Sequence, residues 1–306
     1  MLEKMIRTQT AQKEKQLDEW MQRHDAAHPF PSETVELTPD LVYAPEKYAK
    51  IDVFRPRADF PQPLPVIVDL HGGGFLLGRK EANRLYCADL AAQGFLVYCP
   101  EYPLAPEHNL FEILQALSRA LDAAAARIPG DGGDLNRVFL CGDSAGAWLC
   151  VYLAAMQRSA ALSQAAGVAP SSLPVRALGL VSGMFYTTKL DQIGLFLPPM
   201  LYGKDWRRHP FHPYMNPEHP EIVSHLPPAM LLTARGDFLR RYSQQYAKAL
   251  QKSGADCRLI DLDGERELPH AFAALLPGWT VRTELLWGSP GPEIVYYARE
   301  RGFDAL

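Results

Sequence analysis

Six short apolar runs recur along the chain: Val66–Leu70 (VIVDL), Phe95–Cys99 (FLVYC), Val138–Cys141 (VFLC), Leu178–Val181 (LGLV), Met230–Thr233 (MLLT) and Cys257–Leu262 (CRLIDL). Runs this short and nearly all apolar suit strands covered on both faces, as in a parallel sheet. Between them, Asn83–Gln93, Phe111–Arg127, Ala145–Arg158 and Arg241–Lys252 carry helical patterning. Parallel strands need crossover connections, and these helices supply them. Strand and helix in alternation predict an α/β fold with an open, mainly parallel sheet. A strand-rich stretch, Thr34 to Val53, comes first, with turn signals at Pro39-Asp40 and Pro45-Glu46. Residues 1–28 read as a mostly polar helix, with Leu2, Met5 and Ile6, then Leu17, Trp20 and Met21, grouped on one face. That face needs a cover, either the rest of the chain or a second copy in a homodimer.

Residues 184–220 break the rhythm. They are rich in aromatics, prolines and histidines and exceed an ordinary connection, which predicts a lid or a binding wall.

Composition narrows the class of protein. The chain has 306 residues, 47% hydrophobic and 22% charged, which is ordinary globular usage and excludes a disordered chain. A net charge of −4 gives no basic excess for nucleic acid or an anionic membrane surface. Five scattered cysteines, without a C-x-x-C pair, predict buried free thiols rather than a disulfide framework or a metal site. The charged start resembles no targeting segment, and no apolar run reaches membrane-spanning length, so a cytoplasmic protein is expected.

Chemistry concentrates at a few points. Gly142-Asp143-Ser144-Ala145-Gly146 matches G-x-S-x-G, with the strand run RVFLC leading in and a helical stretch leading out. Strand, sharp turn and helix are the context in which a serine Oγ stands exposed above a sheet as a nucleophile. His71-Gly72-Gly73-Gly74-Phe75 follows VIVDL and lets bare backbone amides face a developing oxyanion. A phosphate loop around Gly78-Arg79-Lys80 fails on spacing, since Lys80 is followed by Glu81. A serine nucleophile needs a base, and the base an acid, in the chain order Ser, acid, His. Of His209, His212, His219, His225 and His270, only His270 lies in the loop after the last strand run. His209-x-x-His212 lacks the carboxylate that would support a metal site, so no metal is expected. Asp237 follows MLLTARG at a strand end and is the expected acid; Asp261 lies within the last strand run and Asp263 at its edge.

Together these motifs resemble the hormone-sensitive-lipase-like family of α/β-hydrolase esterases, over residues 50 to 275. HGGGF is similar to its oxyanion motif and GDSAG to its nucleophile motif. Tyr102–His108 (YPLAPEH) resembles its Y-R-L-A-P-E segment, with Pro103 where Arg is usual. Leu226-Pro227-Pro228 running into Asp237-Phe238-Leu239, and Pro269-His270-Ala271-Phe272, are similar to the segments carrying acid and base. Ala147-Trp148 and Ala271 depart from the family's usual residues. The resemblance implies an α/β-hydrolase fold, a mostly parallel sheet of about eight strands with a helical cap. It places the N-terminal cap helices and lead-in at 1–45, the core at 46–183 and 221–306, and a cap insertion at 184–220. It implies a serine carboxylesterase for short- to medium-chain esters, with no cofactor. The triad would be Ser144, Asp237 and His270, and the oxyanion hole Gly73, Gly74 and Ala145, with Gly72 an alternative to either glycine. Phe75, Trp148, Phe185, Phe196, Tyr202 and Trp206 would line an apolar pocket for a small-molecule ester, with neither nucleic acid nor membrane as partner. An amidase or deacetylase would use the same triad. A ligand receptor on the same fold is disfavoured by the presence of His270.

Overall fold

The computed structural model describes residues 2–262. In chain order the strands are β1 (Val35–Val42), β2 (Lys50–Pro56), β3 (Leu64–Leu70), β4 (Leu96–Pro100), β5 (Gly133–Asp143), β6 (Val175–Val181), β7 (Ala229–Ala234) and β8 (Cys257–Leu262). The helices are α1 (Leu2–Ala27), α2 (Arg84–Ala92), α3 (Leu110–Arg127), α4 (Ala145–Met156), α5 (Ala160–Ala166), α6 (Gln192–Phe196), α7 (Pro198–Leu201), α8 (Pro220–Val223) and α9 (Arg240–Lys252). One eight-stranded sheet runs in the order β1-β2-β4-β3-β5-β6-β7-β8. From β4 to β8 every pair is parallel, and β2 pairs antiparallel with both β1 and β4. The expected α/β-hydrolase architecture is therefore present.

Side-chain alternation divides the core into two layers, as the pleat requires. Val66, Val68 and Leu70 of β3 join Leu96 and Tyr98 of β4 on the face covered by α3, α4 and α9. Ile67, Val97 and Cys99 face the other way, against Tyr86, Cys87, Ala88, Leu90 and Ala91 of α2. Helix α4 is buried along its whole length, which is why its sequence, AGAWLCVYLAAM, shows no polar stripe. Helix α3 opens with a capping box: Asn109 accepts from the Phe111 and Glu112 amides, and Glu112 accepts from the Asn109 amide at 2.8 Å.

One expectation needs correction, and two stretches gain detail that the sequence did not give. The Pro39-Asp40 signal is not a turn: both residues lie inside β1, where the register shifts between Thr38 and Leu41 and Asp40 has φ 51°. This bulge suits an edge strand, where proline's missing donor costs no ladder bond. Long-range contacts hold it, since the Asp40 amide donates to Asp52 Oδ1 at 2.8 Å and its carboxylate meets Lys80 Nζ at 2.9 Å. Helix α5, unread in the sequence, is capped by Ser159 Oγ, which accepts from the Leu162 amide at 3.1 Å, and ends at Gly167 with φ 65°. The stretch 184–220, expected as a cap insertion, is a chain of short helical turns packed on α3, α4 and α9. Phe111 stacks on His209 at 4.4 Å, Tyr152 Oη donates to the Tyr214 carbonyl at 2.6 Å, and Tyr186 meets Tyr242 edge-on at 5.0 Å.

Helix α1 docks through charge. Asp18 pairs with Arg79 and Asp25 with Arg84, so its acidic side lies over the segment that enters α2. No helix among the described residues is long and apolar enough to cross a membrane.

Candidate active site

The order β4-β3-β5 places the reversal of strand order between β3 and β5. In open α/β sheets the crevice beyond the carboxyl ends of such strands is the usual ligand site. Both glycine-rich motifs lie there, HGGGF after β3 and GDSAG after β5.

Ser144 sits between β5 and α4 at φ 54°, ψ −112°. A non-glycine residue in that region is strained by roughly 1–3 kcal/mol and persists only when its surroundings hold it. Here they do: the Ser144 amide donates to the Val181 carbonyl at 2.9 Å, and its carbonyl accepts from Met184 at 2.9 Å. Gly146 permits the turn, because a Cβ there would lie 1.9 Å from the Leu70 carbonyl oxygen. The end of β3 and the first turn of α4 therefore touch, backbone to backbone. Ser144 Oγ is buried and bonds to no described residue.

The loop after β3 is bent to match. Gly73, Gly74 and Phe75 take φ 117°, 63° and 66° in succession. A Cβ at Gly73 would fall 1.8 Å from the Leu77 carbonyl oxygen. Among the described residues the Gly73 and Gly74 amides have no hydrogen-bond acceptor.

What holds this loop is the Glu101–Pro106 segment. Tyr102 stacks on the His71 ring at 4.1 Å and 12°, and its Oη donates to the His71 carbonyl at 2.6 Å. The Ala105 amide donates to the Phe75 carbonyl at 2.8 Å. His71 Nε2 lies 3.0 Å from Glu101 Oε1, and Nδ1 lies 2.8 Å from the Gly72 carbonyl oxygen. Both ring nitrogens face acceptors, so the doubly protonated imidazolium suits the site. Burial alone would lower the His71 pKa; the Glu101 carboxylate and the Gly72 carbonyl outweigh it and hold it above the ordinary value. This support explains why the HGGGF and YPLAPEH motifs occur together; sequence reasoning named His71 only as the start of its motif and missed Glu101 and the pairing. The signal for it was the Tyr102–His108 segment, to which sequence reasoning assigned no role.

Asp237 is buried beyond the end of β7. Its Oδ2 accepts from Thr233 Oγ1 at 3.0 Å and its Oδ1 from the Leu239 amide at 2.9 Å. The rival Asp261 is engaged elsewhere, with Arg240 Nε at 2.8 Å and Gln244 Nε2 at 2.7 Å. His270 and Asp263 lie outside the described residues.

A sequence profile of the alpha/beta hydrolase fold matches residues 67–274, which spans the loop, the serine turn and Asp237. The chain belongs to this family. Carboxylic ester hydrolase LipN of Mycobacterium tuberculosis is 30% identical over 265 residues, 81% of this chain and 67% of the relative. A probable isoprenylcysteine alpha-carbonyl methylesterase of Oryza sativa subsp. japonica is 25% identical over 74% of this chain. The chain spans 56% of that rice protein and 49% of its Arabidopsis thaliana counterpart, about half the length of these relatives. Esterase B from Lactobacillus rhamnosis superposes with a TM-score of 0.82 at 24% identity, covering 97% of this chain and 96% of that one, a likeness of fold.

Within this fold the remaining sequence-derived residues divide. Phe75 meets Trp148 edge-on at 5.6 Å, and Trp148 stacks on Tyr152 at 3.6 Å, so both sit beside the serine turn. Phe185 packs on Tyr246 at 4.5 Å, and Tyr202 Oη lies 2.6 Å from Thr187 Oγ1. Trp206 is buried, whereas Phe196 is 41% exposed. Ala145 begins α4 beside Ser144. The histidines of the insertion have structural partners: His209 Nδ1 accepts from Phe211, His219 Nδ1 accepts from Glu221, and His225 Nδ1 contacts the Glu221 carbonyl. Lys80, once a phosphate-loop rival, is paired with Asp52 at 2.7 Å and Glu81 at 2.6 Å.

Proposed function

We propose that this protein is a serine carboxylesterase acting on short- to medium-chain esters through an acyl-enzyme. The observation that carries this reading is the strained Ser144 turn (φ 54°) directly across from a loop whose Gly73 and Gly74 amides lack acceptors among the described residues. Ser144 Oγ attacks the ester carbonyl. His270 takes its proton, then returns it to the leaving alcohol. Asp237, already holding two donors, orients His270 and stabilises its charged form without taking the proton. The amides of Gly73, Gly74 and Ala145 receive the oxyanion, each worth roughly 3 kcal/mol in the transition state. Water activated by His270 releases the acid.

Two features support His270 as base. It follows Leu262 by eight residues, a span able to reach about 29 Å. Leu262 ends β8 opposite Ala234, and its carbonyl accepts from the Arg235 amide at 3.0 Å, beside the Asp237 turn. The apolar surroundings of Phe75 and Trp148 favour an uncharged acyl or alcohol group.

The test is a rate series on p-nitrophenyl acetate, butyrate, octanoate and laurate, with Ser144→Ala and His270→Ala alongside. Loss of a triad nucleophile or base costs about 10⁶ in turnover. Hydrolysis of the short esters, abolished in both variants, is expected. A folded wild type inert on every ester overturns the reading, and p-nitroacetanilide then tests the amidase alternative.

A further inference from the structure

Away from the serine, on the α2 side of the sheet, three potential ligands meet in the dry core. Asp69 is the one carboxylate in the otherwise apolar β3, and it faces α2 because Val68 and Leu70 face the other way. The parallel register Val68↔Tyr98 continues to place Cys99 of β4 beside it. Cys87 reaches in from α2. Cys87 Sγ lies 3.7 Å and Cys99 Sγ 4.0 Å from the same oxygen, Asp69 Oδ2, and the three ligand atoms are within 4.8 Å of one another. All three residues are fully enclosed, at 0% exposure.

We propose that Asp69, Cys87 and Cys99 bind a thiophilic divalent cation of the zinc class. A tetrahedral zinc with bonds of about 2.3 Å to sulfur and about 2.1 Å to oxygen sets its sulfur and oxygen ligands about 3.6 Å apart. The two observed separations exceed that by only about 0.1 and 0.4 Å. A carboxylate in such a core needs compensation at both oxygens, and in Asp69 the donors, Asn83 and the two thiols, all fall on one. Asn83 Nδ2 donates to Oδ2 at 2.8 Å, while Oδ1 is buried with no partner among the described residues. An unpaired buried acceptor of this kind costs about 1–3 kcal/mol. A further oxygen is close, the Lys80 carbonyl, 3.7 Å from Cys99 Sγ.

On metal binding each thiol releases its proton to solvent, as does Asp69 where it is protonated, and two thiolates and one carboxylate around two positive charges leave one net negative charge. Burial first, then the neighbouring Cys99 and Asp69, holds the Cys87 thiol well above its ordinary pKa, so the thiolate forms on metal binding and not before it. The site also has a line to the serine turn, because Asn83 Nδ2 lies 3.1 Å from Asp143 Oδ1, next to Ser144.

The full chain is unfolded in urea with a chelator, refolded with Zn²⁺ or Co²⁺ alone, and desalted, so that the enclosed ligands are open during loading. One metal per chain by elemental analysis is expected, with a thiolate-to-cobalt charge-transfer band. Cys87→Ser/Cys99→Ser should lose both, weakening affinity by more than the roughly 10–100-fold typical of an outer-shell partner. Cys257→Ser and Ser144→Ala should retain them. X-ray absorption of the zinc-loaded wild type needs no variant and should show two sulfurs at about 2.3 Å. Absence of stoichiometric metal, a band that survives the double variant, or a shell of nitrogen and oxygen alone overturns the proposal. The three residues would then be a protonated, hydrogen-bonded cluster.

Discussion

Replacing Tyr102 by phenylalanine removes one oxygen and isolates the support of the glycine loop. The Tyr102 hydroxyl donates to the His71 carbonyl at 2.6 Å, and the residue is 2% exposed. Its ring, stacked 4.1 Å from the imidazole, stays in place in the variant. No sizeable cavity opens, so the loss is that of a bond whose acceptor remains buried, about 1–3 kcal/mol. The His71 carbonyl stands two residues before Gly73, so its release loosens the loop proposed to bind the oxyanion. Complete loss of one oxyanion donor costs roughly 10²–10³ in kcat, and a loosened donor should cost less. We expect kcat on p-nitrophenyl butyrate to fall between about threefold and a hundredfold, with KM nearly unchanged, because such donors act on the transition state. Tyr98→Phe is the control. Its hydroxyl also makes a 2.6 Å bond, to Asp131 Oδ2, ahead of β5 and away from the strand ends that bear the site. It should lose comparable stability in urea titrations and keep kcat. If Tyr102→Phe loses stability yet matches the wild-type kcat, the segment is packing alone and the loop argument fails.

Gly146→Ala places a Cβ against two backbone carbonyls, 1.9 Å from Leu70 and 2.8 Å from His71, so it should cost more than the about 1–3 kcal/mol of ordinary overpacking; a urea midpoint near the wild type would contradict the contact. The His71–Glu101 pair should give a window of stability. His71 has a raised pKa, so its contribution is full below the ordinary value of 6.5 and fades as pH rises through its folded-state value. Glu101 has a lowered pKa; burial opposes that shift, and the His71 bond and charge outweigh it. Its contribution is present above 4.5 and fades as pH falls through its folded-state value. The stability gap between wild type and Glu101→Gln should therefore be widest between these limits, and urea titrations across pH that show a constant gap would refute the pairing. Burial pushes Asp69 up to about 7 from 3.8, so the metal-free protein should lose stability as pH rises through that interval. Asp69→Asn should flatten the loss; an unchanged slope would place its source elsewhere.

The features legible in the sequence are those that a short stretch of backbone decides alone. Nearly all-apolar runs mark β3, β4, β6 and β7 because both faces of those strands are covered, whereas the edge strand β8, with Arg258 and Asp261, is only half-buried. The elbow and the HGGG loop are visible because positive φ and backbone contact demand glycine at fixed places, as at Gly73 and Gly146. What was misread depends on partners far along the chain. Pro39-Asp40 reads as a turn until Asp52 and Lys80 hold it as a bulge. The insertion reads as a lid or binding wall, but what it rests on is not visible until Phe111, Tyr152 and Tyr242 give its aromatics something to pack on. The same reasoning applies to the cysteines. Metal motifs are recognised by close spacing, such as C-x-x-C, because a single turn presents both ligands. Asp69, Cys87 and Cys99 lie on a strand, a helix and a neighbouring strand, and parallel register, not spacing, brings residues 69 and 99 together. Such a cluster is invisible until strand order is known. It is also independent of the serine reading, which rests on different atoms on the other side of β3. A chain that fails to hydrolyse esters could still bind zinc, and a metal-free chain could still be an esterase.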